Sequence, residues 1–139
     1  AIFKLLGFNY NRVDFISHKV DDVDILSKIN FLYDDAMASA TVAINAKAEG
    51  DLVISGSKGY IYVPAPWWKT EFFEMRFEDV NLNQKYFYKF EGEGLRYGIV
   101  EFLKCIREDS ESFLMSHQDM IEEVRVLNKF VSDTDVTVI

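Results

Sequence analysis

Gly50-Asp51-Leu52-Val53-Ile54-Ser55-Gly56-Ser57-Lys58-Gly59-Tyr60-Ile61-Tyr62-Val63-Pro64-Ala65-Pro66-Trp67-Trp68 decides how this chain is read. Two short apolar runs, Leu52–Ile54 and Tyr60–Val63, flank a Gly-Ser-Lys-Gly tip, the pattern of a tight β-hairpin. Pro-Ala-Pro stops the second strand, because proline has no N–H to give to a sheet ladder. Two adjacent tryptophans follow the stop. A strand end running into a rigid turn and a pair of aromatic rings is a common way to wall a small-molecule pocket.

Working outward, the residues before the hairpin also read as strands. Asn11–Val20 places Val13, Phe15, Ile16 and Val20 among polar partners, and Asp21-Asp22-Val23-Asp24 supplies a turn. Asp24–Tyr33 follows, then a second acidic turn at Asp34-Asp35. Ala36–Lys47 is the cleanest alternation, with Ala38, Ala40, Val42, Ile44 and Ala46 on one face. Beyond the hairpin, Thr70–Phe77 and Gln84–Phe90 read as two further strands, and Tyr86, Tyr88 and Phe90 share a face of the second. Glu91-Gly92-Glu93-Gly94 breaks that pattern.

Helical spacing then takes over. Leu95, Ile99, Phe102, Leu103 and Ile106 form an apolar stripe on a helix over Leu95–Arg107. Ser116 with Asp119 three residues on forms a capping box and opens a second helix, whose stripe is Met120, Val124, Leu127 and Val131. The tail Ser132–Ile139 is short enough to add an edge strand or fray. Strands followed by helices predict an α+β fold: an open, mostly antiparallel sheet of six to seven strands with two C-terminal helices on one face. Six strands at about 4.8 Å spacing make a sheet roughly 29 Å wide, whereas two helices about 10 Å across cover roughly 20 Å of one face. The other face is therefore expected to be free for oligomerisation, because Tyr60–Val63 and Phe72-Phe73 are apolar on both sides.

Composition narrows the function classes. The chain has 139 residues, 49% of them hydrophobic and 15% aromatic, which suits one domain with a real core, and 1–139 reads as a single domain. A formal charge of −8 opposes binding to nucleic acid or an anionic membrane through a basic surface. No apolar run reaches the roughly 18–20 residues needed to span a bilayer. The single cysteine, Cys105, cannot form an internal disulfide and fits a reducing, cytoplasmic compartment.

The Gly50–Trp68 segment resembles the C-terminal domain of the Gfo/Idh/MocA oxidoreductases, the glucose–fructose oxidoreductase-like NAD(P)-dependent dehydrogenases. A hairpin of the form G-x-L-x-I-x-G-(S/T)-K-G-x-I-x-V-P-x-P-W-W marks that family. The likeness extends through Phe90-Glu91-Gly92-Glu93-Gly94-Leu95-Arg96-Tyr97 and the helix beyond, while the N-terminal third matches by pattern. The resemblance implies an intact parent enzyme in which an N-terminal Rossmann domain binds NAD or NADP. Hydride would pass between the nicotinamide and a carbinol carbon of a sugar, polyol or cyclic diol. It also implies that Ala1–Gly7 is the tail of a preceding catalytic helix. Neither that helix's Asp-x-Gly-x-His motif nor the family's Glu-Lys-Pro lysine occurs in this chain, so the fragment alone is expected to be inactive and to bind no cofactor.

Four residues are the expected substrate contacts. Trp67 and Trp68 are one pair, with Trp67 preferred, because aromatic faces stack on the C–H faces of sugars and cyclic diols. Core packing or subunit contact is the plainer reading of the same rings. Arg96 and Tyr97, at the entry to the first helix, are the other pair. Gly98 stands where the resembled family commonly has an acid, and an ordinary surface ion pair is the plainer reading of Arg96. His18 and His117 read as ordinary strand and helix-start residues, Cys105 as an inert thiol, and the acidic turns as solvated loops without metal-ligand spacing. Gly56–Gly59 lacks the Walker spacing and is a hairpin tip. The expected partners are the parent's Rossmann domain, a second copy on the free sheet face and a small carbohydrate or polyol, with no nucleic acid and no membrane. The alternative is a free-standing sheet-based binding or dimerisation module without catalysis; a hydrolase with a dispersed acid–base pair is a third reading.

Overall fold

The computed structural model describes all residues, Ala1–Ile139, as an α+β fold with mostly antiparallel strands. In chain order the elements are α1 (Ile2–Leu6), β1 (Arg12–Val20), β2 (Val23–Leu32), β3 (Met37–Ala43), β4 (Leu52–Gly56), β5 (Gly59–Val63), β6 (Phe72–Phe77), β7 (Gln84–Phe87), α2 (Leu95–Glu108), α3 (His117–Val131) and β8 (Val136–Val138). The strands number eight and lie in two four-stranded sheets, ordered β3-β2-β1-β8 and β4-β5-β6-β7, where one continuous sheet was expected. The division falls between β3 and β4. There Ala46–Asp51 carries Lys47, Glu49 and Asp51, and Gly50 adopts φ 76°, so neither alternation nor extended backbone continues. The chain correspondingly forms two compact units, residues 1–47 with 111–139, and residues 48–110.

The first unit holds every buried apolar side chain: Val13, Phe15, Phe31 and Val126. β1 places Val13, Phe15 and Ser17 on one face by period-2 alternation and bulges between His18 and Lys19. The C-terminal tail supplies β8, which pairs with β1 in parallel as an edge strand. Phe3, Phe8, Tyr10, Phe31 and Tyr33 form a ring cluster, and the Tyr33 hydroxyl donates to the Gly7 carbonyl at 2.9 Å, holding α1 against the sheet.

α3 meets that core with a face other than its apolar stripe. Val126 is buried and Phe130 packs on Phe15 at 5.3 Å between ring centroids, with Asp119 and Glu122 buried on the same face. Met120, Val124, Leu127 and Val131 are exposed. The buried acids are satisfied. Asp119 accepts from the Ser116 backbone N–H at 2.8 Å, the Ser116 hydroxyl at 2.8 Å and Lys4 Nζ at 2.5 Å; Glu122 accepts from Gln118 and Arg125. The capping box expected from Ser116 and Asp119 is present, and paired carboxylates are what make such a burial tolerable.

In the second unit β4–β7 form an antiparallel meander. The hairpin turns on Ser57-Lys58 with Gly56 opposite Gly59. Gly59 is required by close approach: a Cβ there would lie 2.4 Å from the Arg76 carbonyl oxygen on β6.

Candidate functional site

The hairpin base positions the tryptophans. The Trp67 N–H donates to the Gly50 carbonyl at 3.0 Å, closing the two ends of the quoted segment, and the Ala65–Pro66 peptide is cis. Trp67-Trp68-Lys69 form a single 3₁₀ turn in which the indoles meet edge to face, 6.1 Å apart at 88°. Trp67 is 40% exposed and Trp68 64%, so both offer ring surface, and Trp67 is the better held. Buried Thr70 ends the turn, its hydroxyl donating to the Phe72 carbonyl at 2.9 Å.

Arg96 and Tyr97 lie in the first turn of α2, behind a loop whose glycines take positive φ, 63° at Gly92 and 87° at Gly94. Left-handed Gly94 caps the helix, and its Cα lies against Phe90 so closely that a Cβ would stand 3.1 Å from the ring. Phe90 packs on Tyr97 at 5.5 Å. The Tyr97 hydroxyl oxygen accepts the Glu91 backbone N–H at 2.9 Å, which leaves its own proton to donate. Arg96 is ion-paired with Glu91, the surface pair that was its plainer reading.

The two pairs are joined through residues that sequence reasoning passed over. Lys69, the last residue of the tryptophan turn, pairs with Glu93 of the glycine loop at 2.6 Å. The available signal was a lone lysine directly after Trp-Trp and one acid, Glu93, between Gly92 and Gly94. Two concavities of the molecule include none of the predicted residues. One, of about 640 Å³, is an open trough along Met120, Val124, Asn128 and Thr134. The other, of about 110 Å³, lies over Glu74, Arg76 and Lys85.

That second place exposes a charged row on the sheet, Glu74, Arg76 and Lys85, beside the Tyr60–Val63 and Phe72-Phe73 segments that read as apolar on both sides. Glu74 accepts from Arg76 Nε at 2.7 Å and lies 3.1 Å from Lys85 Nζ, and these hydrogen bonds hold its carboxyl below the usual carboxylate range. Arg76 also reaches the Tyr60 hydroxyl at 3.2 Å, which with Glu74 raises its pKa, and stands over the Tyr62 ring at 4.8 Å. Lys85 covers Phe72 at 3.5 Å. The remaining candidates stay apart: His117 faces Glu111 at 3.2 Å, Cys105 is a half-buried free thiol, and no group of three or more His, Cys, Asp or Glu is arranged around a metal position.

Both long helices begin near the chain's own carboxylates: Glu91 and Glu93 precede α2, and Asp119 and Glu111 accept from the Ser116 and His117 backbone N–H groups at the start of α3. No helix is long and apolar enough to cross a membrane. No protein-family model matches the chain, and no curated protein matches it either.

Proposed function

We propose that this chain is the C-terminal domain of a cytoplasmic NAD(P)-dependent dehydrogenase of the Gfo/Idh/MocA type, shaping the substrate cleft and carrying an oligomer face. The observation that supports the reading is the Lys69–Glu93 pair, which ties the exposed Trp67-Trp68 turn to the helix start bearing Tyr97 and Arg96. A sugar, polyol or cyclic diol suits such a surface. Its C–H face stacks on Trp67, and a hydroxyl accepts the Tyr97 proton. Arg96, held by Glu91, orients the loop. NAD or NADP, bound by a Rossmann domain of the same parent chain, supplies the hydride chemistry. The residues described here bind and orient; none takes part in the transfer. The charged aromatic row around Glu74 and Arg76 is the oligomer face in this reading, because polar and aromatic side chains together suit a wet subunit contact.

Reading the coding sequence upstream of Ala1, then assaying its product with NAD and NADP against sugars, polyols and cyclic diols, tests the proposal. A dinucleotide domain, turnover of at least one such alcohol, and loss of kcat/KM without loss of cofactor binding in Trp67→Ala are expected. Loss of assembly with turnover retained would make Trp67 an interface residue. Absence of any dinucleotide domain would leave the alternative, a free-standing binding or dimerisation module.

A further inference from the structure

The sheet of the first unit ends on one side at β3, and that edge lacks the devices that keep strands apart. Proteins blunt exposed edges with charge, proline, bulges or short length. β8 has three residues, β4 has five, and β7 carries Lys85. β3, Met37-Ala38-Ser39-Ala40-Thr41-Val42-Ala43, has seven residues, no charge, no proline and no bulge against β2. Most of its side chains are small, which leaves the backbone open to a neighbour.

The ladder to β2 fixes which backbone groups are free. The Tyr33 N–H donates to the Ala36 carbonyl at 2.9 Å, and the Ile44 N–H to the Ile25 carbonyl at 3.0 Å. Hydrogen-bonded pairs alternate along an antiparallel ladder, so Ala38, Ala40 and Val42 direct their N–H and C=O groups at β2. Met37, Ser39, Thr41 and Ala43 direct theirs outward, where no strand pairs with them.

That outward set is complementary to itself. Two β3 strands laid antiparallel about Ala40 bring Met37 opposite Ala43 and Ser39 opposite Thr41, so every outward N–H meets an outward C=O. Ser–Thr cross-strand pairs then form twice, and no like charges oppose each other. Beyond the strand, the same register carries Lys47 of each copy toward the Asp34-Asp35 turn of the other.

We propose that β3 pairs edge to edge, about a twofold axis at Ala40, with β3 of a second copy of this chain. The pairing is isologous and uses up both β3 edges, so it closes at two copies. It joins the two first-unit sheets into one, whereas the charged row around Glu74 belongs to the second unit. The inference does not depend on the dehydrogenase reading.

Residue-resolved amide hydrogen exchange and sedimentation equilibrium on the full chain test it together. The expected result is a dimer in which the Met37, Ser39, Thr41 and Ala43 amides exchange slowly. Thr41→Pro removes one outward donor and spares the bonds to β2, and is expected to abolish both the dimer and that protection. Should proline disturb the strand itself, a charge swap decides. Ser39→Lys/Thr41→Lys and Ser39→Glu/Thr41→Glu are each expected to be monomeric alone and to pair when mixed. A monomeric chain, a dimer whose four amides exchange fast, or a dimer that survives these substitutions would overturn the proposal.

Discussion

Alanine at Gly59 is expected to loosen the second sheet, and the loss is steric rather than conformational. The added Cβ would stand 2.4 Å from the Arg76 carbonyl oxygen, 3.0 Å from Phe77 Cδ1 and 3.3 Å from the Arg76 carbonyl carbon. A carbon and a carbonyl oxygen approach no closer than about 3.3 Å, so one strand must yield by roughly 1 Å. The Phe77 ring can rotate away. The Arg76 carbonyl cannot, because it belongs to the β5–β6 ladder that pairs Gly59 with Phe77 and Tyr60 with Arg76. Overpacking of this kind costs about 1–3 kcal/mol. The stiffer unfolded chain returns about 0.4–1 kcal/mol, leaving a net loss of up to about 2.6 kcal/mol.

Gly98→Ala is the matched control. Nothing lies within 4 Å of its Cβ position and it sits inside α2, so alanine there gains about 1 kcal/mol of helix propensity. Both tryptophans of the chain lie in this unit, so urea unfolding followed by tryptophan fluorescence reads both variants. With a urea slope of about 1 kcal/mol per M, Gly59→Ala lowers the midpoint by up to about 2.6 M. A Gly59→Ala midpoint at or above wild type, with Gly98→Ala raised as expected, would refute the close-approach argument.

The first unit offers three further tests. Phe15→Ala, at a residue 1% exposed and packed on Phe130, is expected to cost about 3–5 kcal/mol, read as loss of amide exchange protection in β1 and β2. Ser116→Ala removes the capping hydroxyl of α3 and is expected to cost about 1 kcal/mol, read by denaturation followed in the far ultraviolet. Hydrogen bonds from Lys4 and Ser116 hold the Asp119 carboxyl down from 3.8 to about 2. Its contribution is therefore complete above the unfolded value of 3.8 and is lost as the pH falls through about 2. Lys4→Met should raise the Asp119 pKa in a carboxyl NMR titration and remove part of that acid sensitivity; an unchanged pKa would disprove the pairing.

Local signals were legible residue by residue. The Gly-Ser-Lys-Gly tip placed β4 and β5 correctly because a two-residue turn and its flanking strands specify each other within a dozen residues. The α3 capping box was readable because both partners lie in one turn. Trp67 and Tyr97 were marked as candidates by local pattern, whereas Lys69–Glu93, which joins their turns, was not. Its members are 24 positions apart and each resembles any surface charge.

Sequence by itself determined the α+β class, the order of strands and helices, the hairpin and the ends of α2 and α3, since each follows from periodicity and turn chemistry over a few neighbouring residues. Tertiary structure alone decided that the strands divide into two sheets, that Asp119 and Glu122 rather than the apolar stripe of α3 turn inward, and that Glu74, Arg76 and Lys85 form one row. The physical reason is common to all three. A side chain's cost of burial depends on the partner that meets it, and Lys4 for Asp119 lies 115 positions away, beyond any local pattern.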